Sequence, residues 1–481
     1  MNSGISCVVR RGGWLSSVLK GAGLVAVMAA GCLLAVNALA ADKTAPRRLK
    51  VSDNGRWLVY QDGTPFFYLG DTAWELFHRL NREESELYLR DRAAKGFTVI
   101  QAVVLAELDG LKTPNAYGDI PLLDNDPKKP NEAYFRHVDW VVHKAESLGL
   151  FIGMLPTWGD KWNRKWGVGP EIFTPENAQI YGRWLGQRYK DRQIIWILGG
   201  DRSVDNDRHR QIIRAMARGL AEGAGGTHLM TFHPQGDRSS AEWFHEDEWL
   251  SFNMFQSGHG SANKANYEMT LAAYNRKPVK PVLDGEPRYE DHPINWKAQQ
   301  GWFDQWDVRQ AAYWSMLSGA CGHTYGDHNI WQMWQEGRKP ISSARTPWRK
   351  ALQHPGSAQM GMMRRLFESR PWQSLIPDQA LIHGENPKGP DHVRAARAAD
   401  GAFAFVYTPT GKSLTINTER ISGGKLAAWW FDPRTGKASA IAVMEKSRQH
   451  TFDPPGEPGR GNDWVLVLDD ASRGFGPPGE K

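Results

Sequence analysis

From about residue 66 onward, short apolar runs recur along the chain, each closed by glycine or a polar residue and followed by a stretch of helical period. Runs of about four to eight apolar residues bounded by glycine read as strands buried on both faces. On this ground strands are expected at 66–71, 98–104, 150–155, 194–198, 228–232, 250–255, 281–283 and 322–326. Helices are expected at 82–94, 131–148, 175–189, 207–221, 262–275 and 308–318. Strands that alternate with helices make parallel βα units. A series of this length predicts an α/β fold, a (β/α)8 TIM barrel with long loops. A doubly wound open sheet is the rival fold, but no GxGxxG turn follows the first strand.

Both ends of the chain break the pattern. Segments 49–52 and 57–60, joined around Asn54-Gly55, read as a β-hairpin. After about residue 370 the runs become short and alternate apolar with polar, at 393–398, 402–407, 413–417, 425–431, 438–443 and 464–468. Gly, Pro, Asp and Thr separate them, which predicts a small antiparallel β-sandwich. The expected domains are therefore a barrel with its hairpin over 49–375 and a β-sandwich over 376–470.

The first 40 residues are of another kind. Arg10, Arg11 and Lys20 precede an apolar run over 21–36, and Ala38-Leu39-Ala40 offers an A-x-A cleavage site. This predicts a signal peptide over 1–40, export to the periplasm or beyond the cell, and no stable membrane span after cleavage. Cys32 follows Ala30-Gly31 in the manner of a lipoprotein site, but Ala29 stands where leucine is usual and the apolar run continues past the cysteine. Once the leader is removed only Cys321 remains, so no intrachain disulfide and no cysteine-based metal site can form.

Composition narrows the function. The formal charge is +6, which falls to +3 without the basic leader. No basic stripe with interleaved aromatics is present, so a nucleic-acid partner is not expected. The chain holds 22 Trp, many near strand ends. Indole rings on a rim suit the stacking of sugar rings, although tryptophan also fills cores.

Two carboxylates stand immediately after buried strands and glycines. Asp201 closes Ile194-Ile195-Trp196-Ile197-Leu198-Gly199-Gly200-Asp201, and Glu286 closes Val282-Leu283-Asp284-Gly285-Glu286. In a parallel barrel the chemistry sits at the C-terminal ends of strands. The two acids are 85 residues apart, about 28 per unit for three units, close to the ~30 that a βα repeat needs. Cleavage of a glycosidic bond takes two carboxyl groups flanking it, one protonated and one ionised. A separation of about 5–5.5 Å gives retention of configuration and a wider one inversion. Arg288 and rim hydroxyls are the expected neighbours of an ionised Glu286. Asp71, Trp74, Trp158, His233, Gln256, His259, Tyr325 and Trp331 also fall at strand ends and are the candidate substrate-binding residues, facing an oligosaccharide or polysaccharide. His233, His259, His323 and His328 show no HExxH or HxH spacing, so neither a metal nor another cofactor is expected. No G-x-S-x-G elbow supports a serine hydrolase.

Taken together, Gly70-Asp71-Thr72-Ala73-Trp74, Gly199-Gly200-Asp201, Phe252-Asn253-Met254-Phe255-Gln256-Ser257-Gly258-His259 and Asp284-Gly285-Glu286-Pro287 resemble the apiosidase-like glycoside hydrolases, family 140. The likeness covers about residues 49–375, and the tail resembles the collagen-binding-type β-domain that follows the barrel there. The resemblance implies a retaining enzyme with an acid/base aspartate after strand four, here Asp201, and a nucleophilic glutamate after strand seven, here Glu286. It also implies action on apiose-containing side chains of plant pectin. Many barrel glycosidases carry Asn-Glu at strand four, whereas Gly200-Asp201 stands here. Two other classes stay open at this point: a carbohydrate- or matrix-binding protein that no longer catalyses, and a lyase on the same barrel.

Overall fold

The computed structural model describes residues 47–480. The leader expected over 1–40 therefore lies outside the described residues. The hairpin of β1 (Leu49–Val51) and β2 (Leu58–Tyr60) is antiparallel. It precedes a ring of parallel strands: β3 (Tyr68–Thr72), β4 (Val99–Leu105), β5 (Phe151–Thr157), β6 (Ile194–Gly199) and β7 (Met230–His233). A short β8 (Arg238–Ser239) then runs antiparallel to β9 (Asn253–Gln256), which pairs in parallel with β10 (Val282–Asp284). Finally β11 (Gly322–Tyr325) returns beside β3.

Two seams close the ring. Between β7 and β9, the Ser251 amide donates to the Met230 carbonyl at 2.8 Å and the Thr231 hydroxyl to the Phe252 carbonyl at 2.7 Å. Between β10 and β11, the Cys321 amide donates to the Val282 carbonyl at 2.8 Å. Every residue of β3 to β7 is buried, as strands with a filled lumen inside and helices outside require. The expected barrel is thus the observed one, with strand limits shifted by at most three residues.

Capping chemistry sets where the outer helices begin. Asn81 and Glu84 form a reciprocal capping box at the helix Arg82–Ala94, as do Thr174 and Asn177 at Pro175–Arg188 and Asp304 and Asp307 at Gln305–Met316. Pro175 takes the first turn, where its missing N–H is no loss. The helix Asp207–Ala224 ends on Gly225 in the left-handed region, at φ 67°.

The C-terminal domain comprises β12 (Leu375–Pro377), β13 (Arg394–Ala398), β14 (Phe403–Thr408), β15 (Leu414–Ile416), β16 (Lys425–Asp432), β17 (Lys437–Glu445), β18 (His450–Phe452) and β19 (Trp464–Asp470). Six of these form one antiparallel sheet in the order β12-β13-β14-β19-β16-β17, and β15 with β18 forms a second, two-stranded one. Side-chain alternation divides the large sheet. Ala404, Val406, Leu466 and Leu468 pack with Leu414, Ile416 and Phe452 of the small sheet. Phe403, Phe405, Tyr407, Val465 and Val467 belong to the main core shared with the barrel. The sandwich is therefore lopsided: the barrel itself covers the second face of its larger sheet.

Candidate active site

The mouth of the barrel is built from strand ends that glycine bends inward. At the end of β6, Gly199, Gly200 and Asp201 have φ values of 98°, 91° and 55° in succession. A Cβ at Gly199 would lie 2.4 Å from the His233 carbonyl oxygen, and one at Gly200 would lie 2.8 Å from the Gly159 nitrogen. Glycine is needed at both positions for its φ and for lack of room. Aspartate tolerates the left-handed region better than most residues, so Asp201 can complete the turn. Trp162 holds the turn from the neighbouring loop, its indole N–H donating to the Gly199 carbonyl at 3.0 Å.

Glu286 reaches the same cavity from the end of β10. Two bonds fix Gly285 just before it: its amide donates to the Phe255 carbonyl at 2.8 Å, and its carbonyl accepts from Gln101 Nε2 at 3.0 Å. The carboxylate meets two imidazoles. His259 Nε2 lies 3.0 Å from Oε1 and His233 Nε2 lies 3.1 Å from Oε2. The Asp201 amide donates to His233 Nδ1 at 3.3 Å, so the ring turns its Nε2 to Glu286. One histidine thus connects the two strand ends.

The two carboxyl groups sit in opposite environments. Burial raises the pKa of Asp201 to about 7; the negative charge of Glu286 adds to the rise, and Arg202, His233 and Gln256 oppose it. Burial also works against ionisation of Glu286, but the bonds and electrostatic pull of His233 and His259 outweigh it, and its pKa falls to about 2. Near pH 5 one group is protonated and the other is not. That division of state lets a carboxyl pair act as acid and nucleophile.

An inner cavity of about 310 Å³ has Asp201 and Glu286 in its wall, with Trp74, Trp158, Gln256, His259 and Trp331. His233 stands behind Glu286, its ring 5.4 Å from that of Trp74. His233 and two other expected residues, Asp71 and Tyr325, are not part of this wall; His233 still meets Glu286, whereas the placement of Asp71 and Tyr325 is a correction. Asp71 accepts from the Tyr88 hydroxyl at 2.5 Å and from Arg92 Nε at 2.6 Å, both on the helix outside the barrel. Tyr325 donates to Glu290 at 2.6 Å and packs on Phe97. Asp71 and Tyr325 are paired in register on adjacent strands, so they share one face, the one turned to the helices. Arg288 is also placed elsewhere. It is buried beside Trp314, in the field of Asp307 and Asp284, and it is the histidines that hold Glu286 ionised. Asp284 is engaged by the Ser257 hydroxyl at 2.7 Å and Asn266 at 3.1 Å.

The wall contains further residues that strand patterns did not single out: Glu107, Tyr289, His292 and Trp296. Glu107 follows the end of β4 closely, while Tyr289, His292 and Trp296 belong to the long segment after β10, and position beyond a strand end was the available signal. Glu107 is a third carboxyl group, and burial with the charges of Glu75, Asp201 and Asp160 raises its pKa well above the usual range. Tyr289 stands beside Glu286. His292 stacks on His259 at 4.3 Å between ring centroids, and His328 meets His292 at 4.4 Å. Burial lowers the pKa of His292 well below 6.5 and that of His328 to about 4, so both rings are neutral. Among the described residues no group of three or more His, Cys, Asp or Glu could hold a metal ion.

Comparison with known proteins agrees with this geometry. The family described as "Apiosidase-like, catalytic domain" matches residues 52–374, and the one described as "Putative collagen-binding domain of a collagenase" matches residues 376–469. A solved structure titled "Glycoside hydrolase" is 35% identical, with a TM-score of 0.81 over 89% of this chain and 97% of its own. A glycoside hydrolase family 5 protein from Bacteroides vulgatus ATCC 8482 is 34% identical, with a TM-score of 0.83 over 89% of this chain and 95% of its own. An alpha-amylase from Geobacillus thermoleovorans, 10% identical, with a TM-score of 0.52 over 84% of this chain and 98% of its own, shares the fold alone. No curated protein matches the chain. With two thirds of its length matched by the catalytic-domain family and its barrel shared with glycoside hydrolases, the chain belongs to the apiosidase-like family and is a glycoside hydrolase.

Proposed function

We propose that this glycoside hydrolase works with retention of configuration, Glu286 as nucleophile and Asp201 as acid/base, on apiose-containing linkages of pectin-type side chains. The observation that carries the roles is the division of protonation between the two groups, set by burial on one side and by His233 and His259 on the other. The ionised Glu286 attacks the anomeric carbon while Asp201 gives its proton to the departing glycosidic oxygen. Asp201, now a carboxylate, then takes a proton from water, whose oxygen displaces Glu286 and frees the sugar. His233 and His259 hold Glu286 in position, ionised before the attack and again once water has displaced it. The sugar class rests on family membership, and export rests on the apolar leader. Among the described residues no helix is long and apolar enough to cross a membrane.

A panel of apiose-bearing pectin oligosaccharides and activated aryl glycosides tests this reading. Asp201→Asn should cut turnover of the natural linkage by about 10²–10⁴-fold and spare aryl glycosides whose leaving group needs no proton. Glu286→Ala should lose several orders of magnitude on both, and azide should restore turnover with inverted configuration. Equal loss on both substrate kinds in Asp201→Asn, or an active Glu286→Ala enzyme, would rule out the assignment.

A further inference from the structure

A second cavity of about 580 Å³ adjoins the inner one. The two share Trp166, Asp201, Gln256, His259 and Trp296 as walls. Glu286 lines only the inner cavity, while Gln235, Gly236, Asp237, Ser257, Gly258, Gly260 and Asn295 complete the outer one. If the roles proposed above hold, the sugar to be attacked lies against Glu286, in the inner cavity. Asp201 stands at the junction, where the glycosidic oxygen must be. The part that leaves then extends into the outer cavity.

The outer cavity also has unusual walls. Trp166 is 61% exposed and Trp296 is 54% exposed, whereas every other described tryptophan is buried or half-buried. An indole left in water gives up the burial that would stabilise it, so two of them at one opening mark a contact surface. Both are held rather than loose. The Arg202 guanidinium lies 4.1 Å from the Trp166 ring and backs it from the protein side. Asn295 and Trp296 both adopt left-handed backbone, at φ 53° and 59°, and the Asn295 amide is tied to the His259 carbonyl at 2.9 Å. A bulky residue in that region is strained, and strain of this kind gathers where a loop must present a side chain to a ligand. Two glycines of the cavity wall leave open space: a Cβ at Gly260 would meet nothing within 4 Å, and one at Gly236 nothing nearer than 3.9 Å. The amides of Gln235 and Asn295 and the carboxylate of Asp237 supply hydroxyl partners.

We propose that the outer cavity is the leaving-group subsite, and that Trp166 and Trp296 hold a sugar ring there. The substrate is then a glycan whose departing part is itself a carbohydrate, not a small alcohol or a lipid. This rests on the proposed roles of Asp201 and Glu286.

Kinetics with two substrates of the same glycone test it. Apiose-bearing pectin oligosaccharides have a leaving sugar, and apiosyl fluoride has none. In Trp166→Ala and Trp296→Ala, kcat/KM on the oligosaccharide should fall relative to kcat/KM on the fluoride by about tenfold, the equivalent of ~1.4 kcal/mol. Trp296→Phe should recover much of the ratio, because it keeps an aromatic face. A ratio unchanged in both alanine variants would overturn the subsite while leaving the hydrolase reading intact. A wild-type enzyme that turns over neither substrate would overturn both.

Discussion

At the scale of single residues, the site depends on how Glu286 is kept ionised in a buried place. A carboxylate at the end of an apolar strand should favour its neutral form. His233 and His259 reverse that preference, and the charge they sustain on Glu286 helps push Asp201 up to about 7. The sign of the pH dependence follows. In the proposed roles Glu286 must be ionised, so activity is lost as pH falls toward about 2, and Asp201 must be protonated, so kcat/KM declines as pH rises through about 7. In His233→Ala one of the two partners is gone, the pKa of Glu286 rises, and the acid limb of the profile moves to higher pH. A hydrogen bond to a charged group is worth about 1.5–3 kcal/mol, so kcat/KM should fall roughly 10- to 100-fold. A pH–rate profile from about pH 2 to about pH 9, which reaches both limbs, decides it; an acid limb that stays in place would show that His233 does not set the state of Glu286. Asp201 and Glu286 were legible in the sequence because each follows an apolar run and glycine. His233 and His259 were legible only as rim positions, since nothing in a sequence says which acid a histidine will meet.

At the scale of elements, the repeated form of strand, glycine and acid says where a strand stops but not which way the next side chain points. Asp71 and Asp201 both follow glycine. Asp71 is still within β3, where alternation sends it to Arg92 and the outer helix. Asp201 lies beyond β6, after two left-handed glycines have turned the chain toward the cavity. A shift of one residue in the end of a strand decides between lumen and helix layer, and hydrophobic pattern does not resolve one residue. The same parity accounts for Tyr325. The strand order and the helix starts were clearer, because burial on both faces and capping residues leave marks several residues long. The turn at Gly200 can be tested directly. An alanine there would have to hold φ near 91° with its Cβ 2.8 Å from the Gly159 nitrogen. The strain should cost about 1–3 kcal/mol of stability, seen as a lower Tm. Displacement of Asp201 should lower turnover of the natural glycoside more than turnover of an activated aryl glycoside. A variant with normal activity toward both would mean that the turn does not position the acid.

At the scale of the whole molecule, the C-terminal domain is part of the scaffold behind Glu286. The helix Gln305–Met316 comes after β10 and is buried from Trp306 to Met316, against both the barrel and the C-terminal domain. Its contacts with that domain are specific. Trp306 and Trp314 each donate an indole N–H at 2.8 Å, to the carbonyls of Pro409 and His392. Tyr313 stacks on Tyr407 at 4.7 Å. Arg309 makes a two-pronged bond to Asp463 at 2.8 and 2.6 Å, and the Tyr407 hydroxyl reaches the same carboxylate at 3.0 Å. Both members of the ion pair are almost wholly buried. Removing one partner strands the other charge out of water, which typically costs about 3–5 kcal/mol. Asp463→Ala should therefore lower the Tm markedly and weaken activity at elevated temperature, although residue 463 is on a different domain from Asp201 and Glu286. Replacing both partners, in Arg309→Leu with Asp463→Leu, should recover part of the loss, because no unpaired charge is then left in the interface. Thermal unfolding of the wild type, the single variant and the double variant makes the comparison. If Asp463→Ala unfolds at the wild-type temperature, the pair does not hold the domains together. If the double variant is less stable than the single one, packing around the aromatic side chains of that helix, rather than the stranded charge, is what the interface depends on.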